Sequence, residues 1–282
     1  MRVVSALVLL FLLSVGAAQA QMAPRYIEFG DRRMYLDCSG NGSPTVVFEA
    51  DLQGSSADWT AVHQPLAART RVCSYDRVGH GLSTPDVTSK PSEQPLEDLR
   101  LMLAAAGERS PYILVGNGFG GLLVQLYARK YPQDVAGLVL VDPDDEELAA
   151  RYQTSMPMEY QGKSYRRWMR EDPDGIAVAA AYAQARGTEP LPRVPLVVVA
   201  HYELPLYQRL ADSVPGGRLE VADSIGLHIP EQQPQRIVQA VLPMIDAPRP
   251  SPAPWPLTLP WLLALAALGL LGGVFLWRGR AQ

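Results

Sequence analysis

The stretch LVGNGFGG, residues 114–121, decides how this chain folds. It connects an apolar run at 112–116, typical of a buried strand, to a helical pattern at 120–131. Three glycines alternate through the junction, and glycine adopts left-handed backbone angles without a steric penalty. The pattern therefore predicts a sharp turn that leads from a strand directly into a helix.

The same alternation continues on both sides of this junction. Strands separated by helices favour right-handed crossovers and a sheet that is covered on both faces. We predict an α/β fold with a mostly parallel eight-stranded sheet, helices on both faces and an antiparallel hairpin at Gly30 and Asp31. The predicted strands are 26–29, 33–37, 45–49, 71–75, 112–116, 137–142, 196–200 and 218–222, and the predicted helices are 57–68, 95–106, 120–131, 204–213 and 231–245.

Residues 144–192 interrupt this rhythm with short helical bursts at 146–152, 165–170 and 176–186. A segment of this kind is typical of an insertion rather than a crossover. We predict a small helical cap that lies over the carboxyl ends of the strands and roofs a pocket there.

The N-terminal residues 1–20 have the three parts of a secretory signal peptide, which are Arg2, an apolar run, and the ending Ala18-x-Ala20. We predict cleavage after Ala20 and an exported domain at 21–246; an uncleaved anchor helix is the alternative. The excess of Arg over Lys, with many Ala and Pro, favours a bacterial source, so the domain would face the periplasm or the exterior.

The C-terminal residues 257–277 form an uncharged apolar run that would extend roughly 31 Å as a helix, about one hydrocarbon thickness. Tryptophans lie near both edges of this run, and Arg278 and Arg280 follow it, which favours a cytoplasmic tail. We predict a single-pass type I membrane protein with a Pro-rich stalk at 247–256, a transmembrane helix at 257–277 and a tail at 278–282. A sorting tail removed after export is the alternative.

The composition argues against nucleic-acid, metal and cofactor binding. The 282 residues carry 25 Lys and Arg against 29 Asp and Glu, so no positive field is available to hold phosphate backbones. Two cysteines are too few for a cysteine-rich zinc site, and the four histidines are not spaced as metal ligands. We therefore predict no nucleic-acid partner, no metal and no cofactor.

Four stretches together resemble the α/β-hydrolase family, in particular its esterase-like members, in the family's order along most of the predicted domain. They are VVFEAD at 46–51 with SSADW at 55–59, SYDRVGHGLS at 74–83, LVGNGFGG at 114–121 and IGLHIP at 225–230. The resemblance implies an oxyanion loop after the third strand, a nucleophile elbow at 116–120 and a catalytic histidine after the last strand.

The chain departs from the family at the elbow, where G-x-S-x-G carries the nucleophilic serine. The serine position is Gly118, which relieves a backbone strain of about 1–3 kcal/mol but offers no attacking oxygen. The oxyanion loop, to which we assign Asp51, Leu52 and Phe119, differs as well, because the family has a small Gly-rich stretch after the third strand. A carboxylate there would repel a developing oxyanion by about 4 kcal/mol at 4 Å and an effective dielectric of 20, unless Asp51 points into solvent.

The rest of the catalytic triad is predicted to persist as a remnant. His228 occupies the position of the family's catalytic histidine. Asp142, at the end of the sixth predicted strand, is its preferred acid partner, with Glu203 as the alternative and a strand-end cap as an equal interpretation of Asp142. The acidic run 142–147 is otherwise interpreted as a solvated helix start, and the remaining histidines as structural: His63 on a surface helix, His80 in a turn and His201 at a strand end.

The same resemblance places Cys38 and Cys73 on neighbouring strands. Adjacent strands lie about 4.8 Å apart, a spacing that suits a disulfide, and an oxidising compartment would permit it. Two buried free thiols are the alternative.

These observations leave three functional hypotheses. The favoured one is a membrane-tethered pseudo-hydrolase that uses its capped pocket to bind a small apolar or ester-like ligand or a partner. The second is an active hydrolase in which His228 and an acid activate a water without a serine, a contribution of about 10²–10⁴-fold. The third is a structural scaffold.

Overall fold

The computed structural model describes residues 24–85, 91–145, 178–186, 190–222 and 228–247. The predicted signal peptide, the apolar run at 257–277, all but the first residue of the stalk and most of the predicted cap lie outside those residues. None of the helices in the described ranges combines the length and the apolar character needed to cross a membrane. The chain divides into two compact units, Met1–Asp246 and Ala247–Gln282, and the first of them contains the sheet.

Eight strands form one sheet in the order β1-β2-β4-β3-β5-β6-β7-β8. The first two pairs in this order are antiparallel and the other five are parallel, which confirms the predicted α/β class with a mostly parallel sheet. The strands are β1 Arg25–Phe29, β2 Arg32–Ser39, β3 Thr45–Glu49, β4 Val72–Tyr75, β5 Tyr112–Asn117, β6 Val135–Val141, β7 Leu196–Ala200 and β8 Arg218–Val221.

The described helices are α1 Thr60–Ala67, α2 Gln94–Ala106, α3 Phe119–Lys130, α4 Val178–Arg186, α5 Pro205–Asp212, α6 Ile229–Gln232 and α7 Pro234–Asp246. Two predicted helices are each interrupted. A 3₁₀ turn, Ser56–Trp59, precedes α1, and a single residue, Gln233, separates α6 from α7. Pro234 explains the second break, because proline disfavours helical angles in the residue before it, and Gln233 has φ −133° and ψ 52°.

Side chains from both faces of the sheet are buried. On β5, Leu114 packs into a cluster with α2, α3, α4 and α5, whereas Ile113 and Val115 pack into a second cluster with α1, α6 and α7. Alternate residues of a strand point to opposite faces, so a strand buried on both sides is apolar at every position. The central strands therefore form a rigid frame, and their carboxyl ends hold the loops that carry Asp51, Gly118 and Asp142.

Cys38 and Cys73 are directly opposite each other on β2 and β4, with Cα atoms 4.1 Å apart, and their sulfurs are joined in a disulfide. Of the two alternatives left open by the sequence, the structure has the bridge rather than the free thiols. The bond ties an antiparallel edge of the sheet to its parallel centre.

The interpretation of His63 as a surface residue was wrong. Its side chain is buried, and its ring contacts the hydroxyl oxygens of Ser39 at 2.8 Å and Ser74 at 3.1 Å. Burial lowers the pKa of His63, which favours the neutral ring. The residue therefore serves the packing of α1 on the sheet.

Candidate functional site

The chain turns sharply from β5 into α3 at a single residue, Gly118, as predicted. Its backbone angles are φ +53° and ψ −121°, where a residue with a side chain is strained by about 1–3 kcal/mol. The Gly118 amide donates to the carbonyl of Val141 at 3.0 Å, and its carbonyl accepts from the amides of Gly121 at 3.0 Å and Asp144 at 2.9 Å. The elbow is thus fixed from both sides.

The carboxylate of Asp51 points into this elbow rather than into solvent. Its Oδ1 accepts hydrogen bonds from the backbone amide of Phe119 at 2.8 Å and from that of Leu52 at 2.7 Å. A Cβ at Gly118 would lie only 2.2 Å from the same oxygen. The Asp51 carboxylate therefore accepts hydrogen bonds from both amides that would be expected to form an oxyanion hole. It also fills the space that a nucleophile side chain at residue 118 would take.

A cavity of about 390 Å³ opens next to this carboxylate, a size typical of small-molecule sites. His228, which is exposed and immediately precedes α6, lines the same cavity as Asp51. The structure thus brings together these two predicted residues at the carboxyl edge of the sheet. The lining residues are Asp51, Leu52, Gln53, Gly54, Asp58, Asn117, His228, Pro230 and Glu231.

Asp142 has a different histidine partner from the one expected. Its Oδ1 accepts the backbone amide of His201 at 2.8 Å, and its Oδ2 contacts the Nδ1 of the same ring. No hydrogen bond joins it to His228, although both residues belong to the described part of the chain. The pairing arises because β6 and β7 are parallel neighbours, so the residues that follow them meet at one edge.

Asp142 and His201 directly follow β6 and β7, at the strand ends that the sequence indicated, and their side chains pair there. Asp142 has a positive φ of 39°, unusual for a residue with a side chain, and burial raises its pKa against the effect of the His201 contacts. The Nε2 of His201 is buried, and no described residue forms a hydrogen bond with it. Glu203, the alternative acid, has an exposed side chain.

The interpretation of residues 142–147 as solvated was wrong for Asp144, whereas Asp145 is exposed and residues 146–147 lie outside the described residues. Asp144 is half-buried at the elbow, where Tyr182 of α4 donates a hydrogen bond of 3.0 Å to its Oδ2. Burial, together with the nearby charge of Asp51, raises the pKa of Asp144 to about 7. No local pattern in the sequence indicates this contact, because the two partners are 38 residues apart.

Arg77 fixes the loop that carries Asp51, a role that the sequence did not reveal. The buried guanidinium donates from Nη1 to Glu49 at 2.6 Å and to the carbonyl of Ala50 at 2.7 Å. Its Nη2 donates to the carbonyls of Asp51 at 2.6 Å and Leu52 at 2.9 Å. Burial raises the pKa of the Glu49 carboxyl, and the Arg77 charge opposes that shift.

Comparison with known proteins identifies the family. A family model described as "alpha/beta hydrolase fold" matches residues 44–212, more than half of the chain. The chain belongs to the α/β-hydrolase family. The matched residues include the loop after β3 and the turn at Gly118, whereas His228 lies beyond their end.

Individual relatives match different shares of this chain. "Uncharacterized protein YqjL" of Bacillus subtilis (strain 168) is 30% identical over 132 residues, which is 47% of this chain and about half, 51%, of the relative. A hydrolase from Pseudomonas aeruginosa PA01 has a TM-score of 0.59 at 21% identity, covering 80% of this chain and 99% of its own. The enol-lactonase from Burkholderia xenovorans LB400 has a TM-score of 0.60 at 17% identity, covering 79% and 100%. These two likenesses show the fold alone.

Proposed function

We propose that this α/β hydrolase has lost serine-type acyl transfer and binds a small ligand in the cavity beside Asp51. The observation that supports this most is the Asp51 carboxylate held by the amides of Phe119 and Leu52. Loss of one oxyanion-hole donor costs an enzyme about 10²–10³ in kcat, and here both donors are engaged by a negative charge. Gly118 supplies no attacking atom.

An esterase assay tests this proposal. We expect the purified full-length chain to hydrolyse short acyl esters no faster than its His228→Ala variant, because no acyl-enzyme can form at residue 118. Glu28→Ala, an exposed change on β1, serves as the control for purification and folding. Ester turnover that is present in the wild type and the control but lost in His228→Ala would overturn the proposal. It would favour the second candidate, a serine-independent hydrolase, which the shared cavity of Asp51 and His228 supports.

We further propose that the domain is exported and tethered by residues 257–277. The uncharged run and its flanking arginines support this, and so does the Cys38–Cys73 disulfide, because disulfides persist in oxidising compartments. We expect the full chain to remain in the membrane fraction after carbonate washing, and a chain truncated after Asp246 to be released. Recovery of the full chain in the soluble fraction would contradict the tether.

A further inference from the structure

A second cavity, of about 260 Å³, lies between α3, α4 and α5. Its lining residues all differ from those of the cavity beside Asp51. On α3 it is lined by Leu122, Gln125 and Arg129, whose spacing of three and four residues places them on one face of the helix. Sites for drug-sized ligands usually measure about 300–1,000 Å³, so this cavity suits a smaller molecule.

Two side-chain oxygens in the wall of this cavity have unused capacity to accept hydrogen bonds. Gln125, which is only 6% exposed, donates from Nε2 to the carbonyl of Gly121 at 3.1 Å, and no described residue donates to its Oε1. Tyr182 donates to Oδ2 of Asp144, whereas Asp144 Oδ1 accepts nothing from the described part of the chain. Both oxygens can accept N–H groups of a ligand, and a primary ammonium supplies three of them.

Guanidinium groups line the cavity farther along α3. Arg129 is the penultimate residue of α3, about 15 Å along the helix axis from Phe119, and long helical side chains lean back toward the N-terminus. Arg209 of α5 lies at the exposed rim. Asp144 lies at the other end of α3, because its amide donates to the carbonyl of Gly118 at 2.9 Å. Its carboxylate forms no ion pair with either arginine, all three being described residues, so the opposite charges lie at separate ends.

Burial disfavours the charged forms at both ends of the cavity. It lowers the pKa of Arg129 and, together with the negative charge of Asp51, raises the pKa of Asp144 to about 7. A ligand carboxylate beside the guanidinium and a ligand ammonium beside the carboxylate would each offset this cost. Leu122 and Leu206, both buried, give the cavity an apolar wall against which methylene groups can pack.

We propose that this second cavity binds an aliphatic ω-amino acid, a small zwitterion whose ammonium and carboxylate are joined by several methylene groups. The ammonium contacts Asp144 and Gln125, and the carboxylate contacts Arg129, with Arg209 at the rim. An α-amino acid fits less well, because its two charged groups are attached to one carbon and reach only one end. This site goes beyond the proposed ligand site beside Asp51 and does not depend on it.

Isothermal titration of the purified full-length chain with 6-aminohexanoate tests the proposal. We expect binding at least about tenfold tighter than that of hexanoate, hexylamine or norleucine, which is the α-amino isomer of the probe. Each of these three compounds leaves one end of the cavity without a group of opposite charge. The comparison requires only the wild-type chain, so it is decisive even if a variant does not fold.

Substitutions at the two ends locate the bound molecule. Asp144→Asn and Arg129→Gln should each weaken binding of 6-aminohexanoate at least about tenfold. The matched controls are Lys130→Gln on α3 and Asp212→Asn on α5, which change exposed residues outside the cavity and should bind like the wild type. Thermal unfolding of each variant shows whether it is folded.

Several results would overturn the inference. The first is no heat of binding with 6-aminohexanoate up to about 10 mM. The others are equal affinity for hexanoate, hexylamine or norleucine, and wild-type affinity in the Asp144→Asn or Arg129→Gln variant. Failure here leaves the loss of acyl transfer intact, since that proposal concerns the other cavity and fails only if ester turnover depends on His228.

Discussion

Gly118→Ser alone is expected to remain unreactive toward a serine-directed fluorophosphonate, whereas Gly118→Ser combined with Asp51→Gly should label at least about 100-fold faster. In the single variant, the new Cβ would lie 2.2 Å from Asp51 Oδ1, and the Phe119 and Leu52 amides would stay occupied. Removing the carboxylate frees both the space and the two donors, each worth about 10²–10³ in rate. The measurement is the rate of covalent labelling at equal protein concentration.

The His228 imidazole provides the control for this experiment. Adding His228→Ala to the double variant should return labelling to the level of the single variant, because the serine then lacks its general base. Equal labelling of the single and double variants would show that Asp51 does not obstruct the elbow. Absence of labelling in both would show that residue 118 and His228 do not act together.

Replacing Arg77 by Met should lower the free energy of unfolding by about 3–5 kcal/mol. The substitution leaves Glu49, which is 2% exposed, as a buried charge without its cation. It also removes the donors to the carbonyls of Ala50, Asp51 and Leu52. Urea unfolding of the variant and the wild type measures the loss.

Two further variants distinguish the effect of breaking the buried Arg77–Glu49 pair from the effect of removing any arginine. Arg77→Met with Glu49→Gln should be more stable than Arg77→Met alone, because no unpaired charge remains buried. Arg69→Met removes an ion pair with Asp246 whose partners are both exposed, and it should change the free energy of unfolding by about 1 kcal/mol or less. A loss below about 1 kcal/mol for Arg77→Met would contradict the structural role given to this residue.

The fold was predictable because its signals are local. A strand buried on both faces, such as β5, is a continuous apolar run, and the positive φ at the junction favours glycine at residue 118. The divided helix at 229–246 was not foreseen, although Pro234 was the available signal. The predictions for residues 1–20 and 257–277 remain predictions, since those residues lie outside the described ranges.

The sequence indicated which residues lie near the site, but not which contacts their side chains make. The resemblance to the α/β-hydrolase family indicated that Asp51, Gly118 and His228 would lie in one site, but the direction of the Asp51 side chain depends on an amide 68 residues away in sequence. The contact between Asp142 and His201 likewise depends on strand order, since β6 and β7 are neighbours in space but separated by the inserted segment. The choice of Asp142 as the partner of His228 followed a placement of the acid found in some members of the family, not the proximity of β6 and β7.

The close approach of Asp51 to residue 118 also constrains the order in which this chain could change during evolution. A serine introduced while the aspartate remains would be both strained by its backbone and crowded by a carboxylate, so selection would meet a defective intermediate. Loss of the aspartate first leaves a viable glycine turn that can then accept a hydroxyl. Lineages that regain serine chemistry from this state should therefore have altered the loop after β3 before the elbow.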